Sequence, residues 1–95
     1  MNRKILFIHA KWCMPCRYFT SHLIHPVEIE LPDQVVQLDV DVSPSMAERL
    51  GADRVPCIIF YEDGKPVGKA HSLLNPDDVI RWLKGGKYHD SHSGQ

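Results

Sequence analysis

Trp12-Cys13-Met14-Pro15-Cys16 (WCMPC) holds two of the three cysteines in this chain. Three chemistries fit such a pair: a dithiol that exchanges electrons, half of a metal site, or two small core residues that happen to be neighbours. The flanking sequence weighs them. Upstream, Lys4 to His9 is a short apolar run that reads as a buried central strand. Downstream, Pro15 suits the first turn of a helix, where its fixed φ fits and its missing N–H goes unneeded. Phe19 and Leu23 stand four apart on one helical face. Cys13 therefore falls where a strand ends and a helix begins.

That junction favours a thiolate over a thiol. The first N–H groups of a helix lack backbone partners, and the helix dipole puts positive charge there. Lys11 and Arg17 add to it. The Cys13 pKa is expected to fall below the ordinary value. Cys16 lies one turn along the same helix, within reach for a disulfide. Cys13 is expected to be the more exposed, attacking sulfur and Cys16 the more buried, resolving one. A metal site needs four good ligands, and the sequence offers only Cys57 and scattered histidines beside the pair, with no second CxxC and no HxxxH. No metal and no cofactor are expected. Two core cysteines are a poor fit to a CxxC split by proline at such a junction.

The rest of the chain punctuates itself. Pro26 is expected to end the first helix near Ile24. In VVQLDVDV, Val36, Leu38, Val40 and Val42 alternate with polar residues, which predicts a strand with one buried face. Ser43 is expected to cap a second helix with Pro44 in its first position, Met46 and Leu50 facing inward and Gly51 closing it. Cys57 to Glu62 reads as a strand, Asp63-Gly64 as a hairpin turn, and Val67 to Ser72 as the returning strand. Asn75 caps a last helix with Pro76 in its first turn, Asp77 and Asp78 at its dipole, and an apolar stripe of Val79, Trp82 and Leu83. The order βαβαββα predicts an α/β fold: a four-stranded mixed sheet with helices on both faces, the first two strands parallel and the last two an antiparallel hairpin. Residues 1–86 form one domain and 87–95 a polar tail expected to be loose.

Composition excludes several partners. A formal charge of −1, with no basic run, gives no electrostatic case for nucleic acid or an acidic membrane. No stretch is long and apolar enough to span a bilayer, and the apolar run after Arg3 and Lys4 is too short for an export signal. An odd number of cysteines does not make a secreted disulfide framework. A monomeric, cytoplasmic protein is expected, in a compartment where close cysteine pairs serve redox chemistry more than stapling.

The Ala10–Cys16 stretch AKWCMPC, followed downstream by Arg54-Val55-Pro56 and then a strand, a DG turn and a strand, resembles the thioredoxin family. The resemblance runs from Lys4 to Leu83. It implies a thioredoxin-like fold and a thiol–disulfide oxidoreductase that reduces protein disulfides, with a thioredoxin-reductase-type electron donor. It also implies a cis peptide between Val55 and Pro56, facing the dithiol, where the Val55 backbone pairs with an extended substrate. Trp12, Met14, Pro15, Val55, Pro56 and His71 would frame the substrate-binding surface.

The chain departs from the family pattern in places. It starts at the central strand, closer in size to a glutaredoxin. Phe7 stands where thioredoxins carry a buried aspartate, Gln37 where they often have lysine, His9 for an aromatic, His71 for a glycine and Cys57 for a threonine. With the acid missing, His9 or His71 is a candidate proton acceptor for Cys16. Cys57 is either a small buried residue beside the site or a partner in an alternative disulfide. Two rival functions stand beside the main one: a glutaredoxin-like, glutathione-dependent reductase, and a non-catalytic module that uses the fold to dock a partner.

Overall fold

The computed structural model describes residues 2–88; the tail expected to be loose lies almost wholly outside them. Four strands form one sheet: β1 (Arg3–His9), β2 (Val35–Asp39), β3 (Cys57–Glu62) and β4 (Lys65–Ala70), in the order β2-β1-β3-β4. β1 pairs parallel with β2 and antiparallel with β3, and β3 and β4 form the antiparallel hairpin. β1 is central because Ile5, Leu6, Phe7 and Ile8 are all buried, on both faces. At the hairpin Asp63 (φ 53°) and Gly64 (φ 84°) are both left-handed, the backbone a tight two-residue turn requires.

Helices cover both faces. On one side α1 (Met14–Phe19), α2 (His25–Glu30) and α4 (Pro76–Leu83) enclose the larger core, which includes Phe7, Phe19, Leu23, Ile58, Phe60 and Val79. On the other, α3 (Pro44–Arg49) lays Ala47 over Leu6, Ile8, Cys57 and Ile59. The guanidinium of Arg3 ties the end of α4 to β1. It donates to the carbonyls of Trp82 and Gly86 at 2.8 and 2.6 Å and lies 4.7 Å from the centre of the Trp82 ring, an arrangement that joins hydrogen bonding to cation–π attraction.

Five expectations are corrected. Pro26 does not end the helix. α1 and α2 run on through a wide turn, Thr20–Ile24, in which the His25 N–H donates to the Thr20 carbonyl five residues back. Widening the helix there relieves the clash of the proline ring with the preceding turn, and proline has no N–H to leave unpaired. The second strand stops at Asp39, because its carboxylate accepts the Asp41 N–H at 2.9 Å and its carbonyl accepts those of Val42 and Ser43, a turn that competes with the ladder. Val42 is consequently 75% exposed, and Val36, on an edge strand beyond the reach of six-residue α3, is 45% exposed. In α3 itself Ala47 is the buried residue and Met46 is exposed, while Leu50 is half-buried but packs against the same core, as expected. Ser43 starts that helix but makes no side-chain cap; its φ of −135° and ψ of 65° lie outside the extended region that aims a cap at the helix amides. β4 begins two residues earlier than expected and ends at Ala70.

Candidate active site

β1 delivers the chain to the site and α1 carries it away. Cys13 is the N-cap of α1, held by its own N–H to the Ala10 carbonyl at 3.2 Å. Its Sγ accepts the Cys16 N–H at 3.1 Å, so sulfur fills the capping role usually taken by oxygen. Pro15 occupies the first turn, where it removes a donor that would compete for that sulfur. Cys13 and Cys16 are joined by a disulfide, their Cα atoms 5.2 Å apart. Both sulfurs are buried in this disulfide form, with Cys13 only slightly the more exposed. Cys13 is 5% and Cys16 2% exposed, while Trp12 and Met14 beside them are 67% and 68% exposed. The contrast lies between the sulfurs and their apolar neighbours.

Beneath the pair the core is apolar. Phe7 is fully buried in the same cluster as both cysteines, its ring 6.3 Å from that of Phe19 and 5.2 Å from that of His9. Gln37 is exposed and donates to Glu28 Oε2 at 3.3 Å. Among the described residues, Asp78 is the one buried charged side chain, at 1% exposure, and it pairs with Arg81 at 3.0 Å. The sequence placed it at the helix dipole and missed its burial. Its signal was the arginine three residues on, one helical turn away.

Across from α1, the Val55–Pro56 peptide is cis. Pro15, Val55, Pro56 and His71 share the lining of a groove of about 920 Å³, whose floor includes Phe60 and Trp82. The structure thus brings four of the six residues of the expected docking surface into one groove, with Trp12 and Met14 projecting from the loop and first turn nearby. The two histidines are held differently. His9 stacks on Phe7, whereas His71 Nδ1 donates to the Pro56 carbonyl at 3.0 Å and its Nε2 lies 3.3 Å from Asp53 Oδ1. Among the described residues neither ring bonds a cysteine sulfur.

Cys57 sits elsewhere. It is fully buried, unbridged, and packed with Leu6, Ile8, Ala47 and Ile59 on the sheet face away from Cys13 and Cys16. Strand alternation puts it there: Ile58 and Phe60 face the dithiol core, and Cys57 and Ile59 face α3. It is a small core residue on the opposite face of the sheet, and the alternative disulfide is not formed. Burial pushes its thiol pKa up. Among the described residues no three His, Cys, Asp or Glu side chains cluster as a metal site would need, and no helix is long and apolar enough to cross a membrane.

Comparison with known proteins agrees with this geometry. The family model for thioredoxin matches residues 2–85. A thioredoxin of Chlamydia muridarum is 34% identical over 75 residues, covering 78% of this chain and 72% of that one. A bifunctional thioredoxin reductase/thioredoxin of Mycobacterium leprae is 32% identical over 80 residues, 75% of this chain and 17% of that protein. Among solved structures, the oxidised mitochondrial thioredoxin 3 of Saccharomyces cerevisiae superposes with a TM-score of 0.71 at 27% identity, covering 87% of this chain and 77% of that one. Neither the glutathione-dependent alternative nor the module without chemistry is favoured by these matches. The chain belongs to the thioredoxin family and is a thiol–disulfide oxidoreductase of the protein-disulfide type.

Proposed function

We propose that Cys13 is the attacking and Cys16 the resolving sulfur of a cycle that reduces protein disulfides. The Cys13 thiolate attacks one sulfur of the substrate disulfide, forming a mixed disulfide and releasing the other substrate sulfur as a thiolate that takes up a proton. Cys16 then gives up its proton, attacks Cys13 Sγ and expels the second substrate sulfur. Two electrons have passed from the dithiol to the substrate, and Cys13–Cys16 is again a disulfide. The observation that carries this assignment is the Cys16 N–H pointed at Cys13 Sγ. A donor at that distance favours negative charge on Cys13 and offers none to Cys16.

Substrate docks across the groove, with the Val55 backbone pairing an extended segment and Trp12, Met14, Pro15, Pro56 and His71 framing it. His9 is the proposed acceptor of the Cys16 proton; its ring stacks on Phe7, which belongs to the cluster that holds both sulfurs. The electron donor is a thioredoxin-reductase-type enzyme, a reading supported by the relative whose name joins the two activities. The working form is a cytoplasmic monomer, the domain ends near residue 86, and neither nucleic acid, membrane, metal nor cofactor takes part.

Insulin reduction tests the reading. Dithiothreitol supplies electrons in one arm and thioredoxin reductases in the others. Accelerated precipitation of the insulin B chain with wild type, and none with Cys13→Ser, is expected. Folded protein inactive with every donor, dithiothreitol included, contradicts it.

A further inference from the structure

One side chain of β4 and another just beyond its end reach the same loop. Lys69 Nζ donates to the Gly51 carbonyl at 2.9 Å. Two residues on, just past the strand end, His71 Nδ1 donates to the Pro56 carbonyl at 3.0 Å while Nε2 faces Asp53 at 3.3 Å. Residues i and i+2 of an extended chain share a face. Lys69 and His71 therefore grip the Gly51–Pro56 loop at its start, middle and end. That loop carries Val55.

We propose that His71, assisted by Lys69, is a positioning residue for the dithiol reaction: it fixes the Gly51–Pro56 loop so that the Val55 backbone meets the substrate already in place. The inference rests on the docking role given to Val55 above.

The grip depends on the charge of the imidazole. A carbonyl only accepts, so Nδ1 carries a proton in either state. When the ring is neutral, Nε2 turns a lone pair toward the Asp53 carboxylate. When the ring is protonated, both nitrogens donate and the pair with Asp53 becomes attractive. The charged and titratable groups around this corner are Asp53 and Arg54 on the loop, Lys69 on β4 and the Cys57 thiol on β3. A backbone hydrogen bond, followed by Lys69, His71 and Arg54, holds the Asp53 carboxyl below its ordinary value of 3.8, so Asp53 is anionic at mildly acidic and neutral pH. Acid conditions, down to the protonation of Asp53, thus tighten the loop.

Three variants separate the contacts. His71→Ala removes both, His71→Asn keeps an amide donor for the Pro56 carbonyl but cannot ionise, and Lys69→Met releases Gly51. With a peptide disulfide as substrate, His71→Ala is expected to raise KM about threefold to tenfold, the scale of one or two lost hydrogen bonds, with kcat within about twofold. His71→Asn matches wild type in KM at pH 8.5 and is about threefold weaker at pH 6, a loss set by one charge-assisted contact. Hydrogen exchange of the Arg54 and Val55 amides, corrected for intrinsic rates, reads the loop without any turnover. It is expected to accelerate in His71→Ala, less in Lys69→Met, and in His71→Asn only at pH 6. If the protein turned nothing over, the exchange data alone would decide the positioning claim. Unchanged exchange in His71→Ala overturns it, whether KM stays the same or rises, since a rise alone leaves His71 with only the substrate-framing role given above and no hold on the loop; an active enzyme with that result leaves the oxidoreductase reading standing.

Discussion

Phe7→Ala tests the idea that the core under the dithiol is built to be apolar. Phe7 is fully buried, packed between Phe19 and His9 and in the same cluster as both cysteines. Truncating such a ring loses its transfer free energy and leaves a cavity that central β1 cannot close, at a cost of about 3–5 kcal/mol. A chain of 95 residues carries roughly 5–14 kcal/mol in total at about 0.05–0.15 kcal/mol per residue, so about a fifth or more of the stability goes. At about 4–8 °C per kcal/mol for a domain this size, the melting temperature is expected to fall by at least about 12 °C. Circular dichroism of the oxidised forms measures it. Chemistry should suffer far less, since Phe7 has no proton to give. Insulin reduction per folded molecule, taken at 15 °C, is expected to stay within about threefold of wild type, a barrier change below about 1 kcal/mol. A drop in Tm under about 5 °C means Phe7 is not the packing element described. A hundredfold loss of rate in folded protein means the ring takes part in the chemistry.

Cys57 is expected to resist iodoacetamide in the native reduced protein, because it is fully buried and its thiol is pushed up; mass spectrometry of labelled peptides should find it modified only after Cys13 or on unfolding. A folded-state pKa raised above the ordinary 9.0 adds stability below that value and loses it as pH rises through the folded pKa. Wild type should therefore lose more stability than Cys57→Ala between pH 8 and 10.5 in urea titrations, and an equal loss argues against a buried thiol. Asn75 Oδ1 accepts the Asp77 N–H at 2.8 Å, and Asn75→Ala is expected to cost about 1 kcal/mol in the same titration. Asp53, with its pKa lowered, contributes stability above its unfolded value and loses it as pH falls through the folded one. The Tm gap between wild type and Asp53→Asn should accordingly be larger at pH 7 than at pH 2.5.

Where one local force dominates, sequence and structure coincide. The unbroken run Ile5–Ile8 has room only at the sheet centre, Asp63-Gly64 has the backbone freedom for a tight turn, and Cys13-Met14-Pro15-Cys16 begins a helix because proline and a capping sulfur both suit that point. Long-range competition hid the rest. Pro26 stops a regular helix but not one that widens by a residue. Val36 and Val42 alternate like a buried face, yet a buried face needs a cover, and α3 is one and a half turns long at 3.6 residues per turn. Asp78 looks like any first-turn acid until the fold closes over it. The site was legible in outline, since cysteine spacing is local chemistry. The grip of His71 on Pro56 and Asp53 joins residues 15 and 18 apart in sequence, and no periodicity records it. Cys57, one residue after Pro56, looked adjacent to the dithiol; alternation along β3 turned it to the other side.

The measurement closest to the central claim is a trap. Reduced Cys16→Ser protein is mixed with a peptide disulfide, quenched in acid and digested, and the bridged peptides are read by mass spectrometry. A stable mixed disulfide at Cys13, absent from Cys13→Ser treated alike, is the result expected of an attacking Cys13 and a resolving Cys16. Adducts that form in Cys13→Ser through Cys16, or that fall on Cys57, contradict it.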